Sequence, residues 1–530
     1  MMRVKLNAIY RWRTFHTGYY TVHWVGNNDF YLQLCQRLHC DANLDSSLMD
    51  LLKSAIGNYA GIIEGPDFIF ACVDRIRSYP VFYVNNNHSL WISNCAQTIK
   101  IYGKLNNINS HALLEFKMSG YVMGHDTLYQ HLYQLQAGEC LLWKKNKTLT
   151  VRRYYCYIPY PQNNISKEDR VEALGSVVNK VINRILDEAN GDPIWIPLSG
   201  GFDSRLILAK LVEMKYDAIQ TFSFGLPGNH EAKMAEHIAR LLNVSWFLVP
   251  FRAKTMKDSY YRKVRREYAA FAAGLCSTPS YLGFYDFYWL VCEKRIPHNA
   301  IIINGQSGDF ITGGHLPLAL FENTHFEKMI SLLIKKHCSL WGNLNKPDNV
   351  SLLLEKINAQ FPFPRRDSMT MDHIMSDYES WEFQERQTKL VINGQRIYDY
   401  FRLRWALPFW ENEMLDFWSQ IPFHLKKSQH LYVSYLKKYN YCGVYDALRA
   451  VVNPWIFRYT WIPWIARVLG IFFGAEAKKK YYRRMYYYSC EHSQYAYHGR
   501  RHYLSHYCQA RNVVSLDANQ YLSDLKIEKI

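Results

Sequence analysis

Two rhythms of apolar and polar positions divide the 530 residues. Up to about residue 155 the apolar runs are short. "FIFACVD" (68–74) and "PVFYV" (80–84) sit between turn clusters such as "EGPD" (64–67) and "NNNH" (85–88). Short strands bounded by Gly, Pro and Asn predict a largely antiparallel α+β domain. The stretch "IPYPQNNISKED" (158–169) is polar and proline-containing, and reads as a linker. Beyond it the period changes. "RVEALGSVVNKVINRILDEA", "SRLILAKLVEM" and "EAKMAEHIARLLN" carry helical spacing, whereas "IWIPLS", "AIQTFSFG", "SWFLVPF" and "AIIINGQS" are short apolar strands. Strands alternating with helices predict an α/β, doubly wound, mostly parallel sheet. Ligands of such sheets bind beyond the carboxyl ends of the strands, where the loops after "IWIPLS" and "AIIINGQS" fall.

Composition adds a field and a compartment. Hydrophobic residues make up 49% and charged ones 21%, enough apolar material for real cores. Lys and Arg outnumber Asp and Glu by 63 to 46, a net +17 that attracts polyanions: nucleotides, nucleic acid, acidic glycans or an anionic membrane. A basic solvated surface is the plainer reading of the same numbers. Twelve cysteines with no CxxC pair give neither a zinc site nor a disulfide framework, so reduced thiols in a cytoplasm are expected. The opening "MMRVKLNAIYRWRTF" has no apolar core of a secretion signal. The stretch "WIFRYTWIPWIARVLGIFFGAEAKKKYYRR" (455–484) reads as a buried helix pair with a basic end, or as an in-plane contact at the inner face of a membrane. "KKKYYRRMYYY" (478–488) interleaves basic and aromatic residues, but no recognition motif accompanies it, so a nucleic-acid partner is not expected.

The densest chemistry lies in "SGGFDS" (199–204), between a strand and a helix. Two glycines allow close backbone approach to a ligand, and the helix start points free N–H groups and its dipole at the same spot. Ser199 and Ser204 add hydroxyls. Asp203 beside an anion calls for a bridging cation such as Mg²⁺. An ordinary helix cap is the alternative. The loop is neither a G-x-x-x-x-G-K-[ST] nor a G-x-G-x-x-G motif.

S-G-G-x-D-S in this setting resembles the pyrophosphate loop of the ATP pyrophosphatases. The chain as a whole resembles the asparagine synthetase family, a class II glutamine amidotransferase-like domain followed by an ATP pyrophosphatase domain. "TFSFG" (221–225) is similar to the family's adenine-contacting strand, and "LPGNHEAKMAEHIAR" (226–240), with Glu231, to the loop and helix after it. "NGQSGDFITGGH" (304–315) resembles the second signature S-G-E-G-x-D-E-x-x-G-G-Y. "LPFWENEMLDFWSQIPFHLKK" (407–427) resembles the P-F-L-D region. The resemblance implies that a carboxylate attacks the α-phosphate of ATP, releasing pyrophosphate, and that an amine then displaces AMP. It implies nucleotide contacts at Leu198, Ser199, Gly200, Gly201, Asp203, Ser204, Ser223, Phe224, Gly225 and Gly305, Mg²⁺ on Asp203 and Asp309, and catalytic roles for Asp203, Asp309 and Gln306.

Departures narrow this. The signature glutamate is Gln306, the following acidic residue is Phe310 and the final Tyr is His315. The family's late lysine has no clear match in "KKSQHLYVSYLKK" (426–438), where Lys426, Lys427, Gln429 and His430 stand. The family's amino-terminal nucleophile cysteine is missing: Met2 and Arg3 follow Met1, and the first cysteine is Cys35. "NYAGIIEGPDFIFACVDRIRSYPVFYV" (58–84) and "GYVMGHDTLYQHLYQLQAGE" (120–139) still resemble the glutaminase-type strands, with Asp74, Arg75 and Pro80 in structural roles.

The resulting expectation is an N-terminal-nucleophile-hydrolase-like α+β domain over 1–158 that hydrolyses no glutamine. An ATP pyrophosphatase-type α/β domain over 165–445 and a basic, aromatic-rich helical extension over 446–530 follow. The substrates are ATP, a carboxylate-bearing small molecule or glycan, and ammonia or another amine from a separate glutaminase. The leading function is ATP-dependent amide formation on a carboxylate, and a resemblance to proteins of bacterial surface-polysaccharide clusters implies amidation of a sugar acid. Asparagine synthesis from aspartate, lasso-type macrolactam closure and a nucleotide-binding scaffold without turnover are the alternatives.

Overall fold

The computed structural model describes residues 2–8, 11–26, 30–40, 42–86, 89–145, 149–225, 230–250, 258–322, 325–362, 369–446, 461–490 and 509–527. Its amino-terminal part is a four-layer sandwich. A six-stranded antiparallel sheet runs in the order Thr150–Arg153, Glu139–Lys144, Phe68–Val73, Tyr59–Glu64, Tyr20–Gly26, Arg13–Thr17. A four-stranded sheet, Met2–Val4, Ser89–Ser93, Phe82–Asn86, Leu132–Gln134, stacks on it.

The period of two sorts the side chains. Ile69, Ala71 and Val73 face the second sheet through Tyr83 and Ile92. Phe68, Phe70 and Cys72 face the helices Phe30–Cys40 and Ser46–Ser54 through Leu34, Leu38 and Leu48. On the far side Phe82 and Val84 meet Ala96, Ile99 and Phe116 of the helices Ala96–Tyr102 and Ser110–Ser119. This helix–sheet–sheet–helix layering is the α+β arrangement expected of an N-terminal-nucleophile-hydrolase-like domain.

The later part is built on a five-stranded, all-parallel sheet in the order Ser245–Pro250, Ile219–Gly225, Ile194–Pro197, Ile301–Ile303, Arg404–Ala406. Helix Lys167–Ala189 covers one face with Leu174, Val178, Ile182 and Ile185. Each such burial is worth about 1.5–3 kcal/mol. The other face carries an aromatic core of Trp195, Phe222, Tyr268, Phe284 and Phe287.

The two parts are pinned together. Arg75 donates to Asp416 at 2.8 Å and its guanidinium stacks 4.5 Å from the Tyr155 ring. The buried pair Lys389–Glu385 grips both ends of the Gly124 residue, at 2.8 Å on its carbonyl and 2.9 Å on its N–H.

One expectation is corrected at the carboxy-terminal side. Residues 461–490 form a helix kinked at Gly474; Ala466 is buried, but the larger apolar residues expected in a core are not. Trp464, Ile471, Phe472 and Phe473 are all exposed, the last three above 70%. Residues 455–460 of the predicted pair lie outside the described residues. No described helix is long and apolar enough to cross a membrane.

Candidate functional site

Strand Ile194–Pro197 has two parallel neighbours, and Ile194 stands opposite Ile301 on one of them. From it the chain winds one way through Ile219–Gly225 to Ser245–Pro250, then crosses back to Ile301–Ile303 and Arg404–Ala406. The order reverses between Ile194–Pro197 and Ile301–Ile303, so the loops at 198–204 and 304–309 leave the sheet side by side at a topological switch point.

The first loop is fixed from below. Leu198 is 2% exposed; its N–H donates to the Phe222 carbonyl at 2.8 Å and its own carbonyl accepts from Ser223 Oγ at 2.6 Å. The Trp246 indole donates to the same hydroxyl at 2.9 Å. Leu198 and Ser223 therefore root the loop. Arg205, fully buried, ties the Gly200 carbonyl at 2.7 Å to the Val444 carbonyl at 2.9 Å. A Cβ on Gly200 would come no nearer than 3.6 Å to any atom, and on Gly201 no nearer than 3.2 Å, so protein packing alone does not demand these glycines. They leave room on the ligand side. Helix Phe202–Glu213 has no side-chain cap at Gly201, which frees its first N–H groups for an anion.

The second loop presses onto the first. A Cβ on Gly305 would lie 2.6 Å from the Ser204 nitrogen, and one on Gly308 2.3 Å from Asp203 Cγ. Ser307 adopts φ 65°, which turns the chain into the short helix Gly308–Ile311. The Asp309 N–H reaches the Asp203 carboxylate, and Tyr432 Oη donates to it at 2.9 Å. Burial first, and the Asp309 charge second, push the Asp203 carboxyl up to about 7. Burial also works against charge on Asp309, but His315 holds that carboxyl below its usual range through a 3.0 Å hydrogen bond and its own charge.

Opposite Asp309, His315 is bonded to Glu382, which is fully buried and also contacts Lys336 at 3.1 Å and His337 at 3.3 Å. Burial opposes protonation of His315, yet Glu382 and Asp309 outweigh it and raise its pKa. Two adjacent carboxylates, one of them raised by burial and by its neighbour's charge, suit a hard divalent cation that completes its shell with water and phosphate. Among the described residues no group of three or more His, Cys, Asp or Glu could hold a metal, so Asp203 and Asp309 would share it with the nucleotide.

Beside the loops lies a cavity of about 430 Å³. Ser199, Gly201, Asp203, Ser204, Phe224, Gly305 and Gln306 all line it, so seven of the residues singled out in the sequence converge on one space. Gln306 is oriented twice: its N–H donates to Asn304 Oδ1 at 2.9 Å and its side-chain oxygen accepts from Gln395. Asn304 in turn donates to Tyr398 Oη at 3.1 Å. Gly225 ends its strand at φ 131°, and Glu231 lies beside Gly200 on helix His230–Leu241; residues 226–229 lie outside the described residues. A larger groove of about 780 Å³, between helices Phe326–His337 and Pro347–Asn358, is lined by Ile330, Ile334 and Leu354 and contains neither loop.

None of the four candidates for the missing lysine presents a cation to this cavity. Lys426 is fully buried against Glu379 at 2.6 Å, Lys427 lies over the Phe321 ring, Gln429 donates to Thr312 at 2.7 Å, and His430 is paired with Lys167. Sequence reasoning missed Tyr432, Gln395, Tyr398 and the His315–Glu382 pairing, whose partners are 67 to 229 positions from the motifs they serve. In the first domain Asp74 accepts the N–H groups of Tyr59, Ile76 and Ser78, a turn-fixing role. Cys35 is buried among Leu34, Leu38 and Phe30, and burial pushes its thiol up to about 11.

The chain is 23% identical over 371 residues to a Methanocaldococcus jannaschii protein provisionally named asparagine synthetase (glutamine-hydrolyzing) 2, covering 67% of this chain and 69% of that one. Among solved structures it is similar to a glutamine phosphoribosylpyrophosphate amidotransferase from B. subtilis complexed with ADP and GMP (TM-score 0.15, 11% identity, 55% of this chain and 57% of that one). It is also similar to a structure titled the allosteric regulatory enzyme of purine biosynthesis (TM-score 0.16, 10% identity, 54% of each chain). The chain thus spans little more than half of either solved structure. The family model described as asparagine synthase matches residues 190–439, the stretch that holds both loops and the cavity. Over those residues the chain is similar to the asparagine synthase family.

Proposed function

We propose that this protein is an ATP-dependent amide-forming ligase that activates a carboxylate as its adenylate. The observation that carries the reading is the contact of the two loops, in which Gly305 and Gly308 let the Asp309 loop close onto Asp203. A carboxylate oxygen attacks the α-phosphorus of ATP, the α–β bridging bond breaks and pyrophosphate leaves. An amine nitrogen then attacks the acyl carbon, the carbon–oxygen bond to AMP breaks, and the amine's surplus proton passes to solvent. Asp203 and Asp309 would hold Mg²⁺, which when bound would supply charge neutralisation of the pyrophosphate. The uncapped helix start and the hydroxyls of Ser199 and Ser204 bind and orient the β- and γ-phosphates. Gln306, fixed by Gln395, orients the acyl group by hydrogen bonds, since an amide takes up no proton.

In this reading residues 165–445 do the chemistry and 1–158 serve as a glutaminase-derived support without glutaminase activity, which the burial of Cys35 supports. The acyl substrate is a carboxylate-bearing small molecule or glycan such as a sugar acid. The amine arrives as ammonia or from a separate glutaminase, and the protein works in the cytoplasm. Analysis of nucleotide products tests it. With candidate carboxylates and ammonium, AMP and pyrophosphate must form in the wild type and vanish in Asp203→Ala; ADP and phosphate as the products would overturn the reading.

A second reading concerns the helix 461–490. Its exposed Ile471, Phe472 and Phe473 beside the basic run at 478–484 favour peripheral contact with an anionic membrane surface.

A further inference from the structure

The cavity beside the loops has one charged wall that the adenylation chemistry does not use. Asp286, on helix Tyr281–Cys292, lines it while only 6% exposed. Among the described residues no cation and no hydrogen-bond donor is paired with its carboxylate, and burial alone drives its pKa well up. A lone buried carboxylate is costly unless something neutralises it. Most buried carboxylates here have found partners, as Glu379 has Lys426 and Glu385 has Lys389. Asp286 faces a space shared with Gln306 and Gln395, and with the aromatic rings of Phe224, Phe287 and Tyr398. Phe287 packs edge-on to Tyr398 at 4.9 Å and lies 5.9 Å from Phe224, so aromatic rings and a carboxylate border one space. That combination is the chemistry that recognises an ammonium group, through a charge-assisted hydrogen bond and cation–π attraction.

We infer that Asp286 is the binding residue for a primary ammonium group that enters the cavity next to Gln306. The inference rests on the proposed function, because it names the charge of the molecule that occupies this cavity. Two sources share the chemistry: the free amine that attacks the adenylate, and an amino group carried by the acyl substrate. Burial raises the Asp286 carboxyl pKa and a bound ammonium ion would lower it again, so binding is expected to release protons.

Methylammonium chloride is the probe, titrated calorimetrically in two buffers of different ionisation enthalpy, with tetramethylammonium chloride as the ionic-strength control. The wild type is expected to bind methylammonium saturably and with buffer-dependent heat. Asp286→Asn is expected to bind it roughly tenfold to hundredfold more weakly, the value of one buried charge-assisted hydrogen bond. A second arm assigns the source: displacement of methylammonium by β-alanine but not by propionate places the ammonium on the acyl substrate, and no displacement by either assigns it to the free amine. Mg·ATP affinity, measured in the same samples, reports the fold and tests the proposed function separately. Absence of saturable methylammonium binding in wild-type protein that binds Mg·ATP overturns the inference, as does equal binding by Asp286→Asn.

Discussion

Replacing Gly308 by alanine probes the loop contact on which the account stands. The added Cβ would sit 2.3 Å from Asp203 Cγ and 2.5 and 2.6 Å from its two oxygens. Carbon atoms in ordinary contact stand about 3.5 Å apart, so one loop must give way by about 1.2 Å. Asp203 has little freedom to yield, because Tyr432 holds Oδ1 at 2.9 Å and the Asp309 N–H holds the same carboxylate. The strain costs about 1–3 kcal/mol of stability, a modest loss for a chain this size. A shift of about 1 Å between reacting or coordinating groups costs on the order of a hundredfold in function. Mg·ATP binding, followed by calorimetry, is therefore expected to weaken roughly tenfold to hundredfold in Gly308→Ala, with a melting temperature lowered by a few degrees. In EDTA the wild type and the variant should differ far less, since the displaced carboxylate acts through the metal. Wild-type Mg·ATP affinity in Gly308→Ala would refute the reasoning, because the two loops could not then be in the contact described.

Other outcomes follow from the same physical arguments. Saturating glutamine is expected to release no glutamate, and Cys35→Ala should leave ammonium-dependent turnover unchanged; glutamate release lost in that variant would restore a glutaminase role. Glu115, 3% exposed and bonded to the Met123 N–H at 2.8 Å, has its carboxyl pushed by burial from about 4.5 up to about 7. A raised folded-state value means its favourable contribution is complete below about pH 4.5 and is lost as pH rises through 7. The loss is roughly 3 kcal/mol across that window. Glu115→Gln should flatten the fall in melting temperature between these pH values, and an unchanged slope would contradict the assignment. Phe472→Ser with Phe473→Ser is expected to abolish co-sedimentation with phosphatidylserine vesicles without touching Mg·ATP affinity; wild-type protein that ignores such vesicles ends the membrane reading.

Legibility in the sequence followed the range of the interactions. Strands 194–197, 219–225, 245–250 and 301–303 were readable because each is a short, largely apolar or β-favouring run beside a helical period. Strand Arg404–Ala406 was not, since three residues carry no period and it is defined only by its neighbour Ile301–Ile303. The helix Phe30–Cys40 was overlooked although Phe30, Leu34, Cys35 and Leu38 have helical spacing, because turn signals dominate its surroundings. Ser199, Gly201, Asp203 and Ser204 could be singled out from one local motif. Tyr432 and Gln395 could not, because nothing in the spacing of a tyrosine or a glutamine says which distant loop it will meet. Ile471, Phe472 and Phe473 read as core because hydrophobicity signals burial only when a partner surface exists, and in the described structure they stay exposed.

The central claim is that ATP and its cation bind between Asp203 and Asp309. A crystal structure grown with Mn²⁺ and an ATP analogue blocked between the α- and β-phosphates tests it most directly, through the anomalous signal of the metal. The account predicts one peak within coordinating distance of both carboxylates, with the β- and γ-phosphates against Ser199, Gly200 and Gly201. A nucleotide bound elsewhere, or a metal peak that touches neither aspartate, would contradict it.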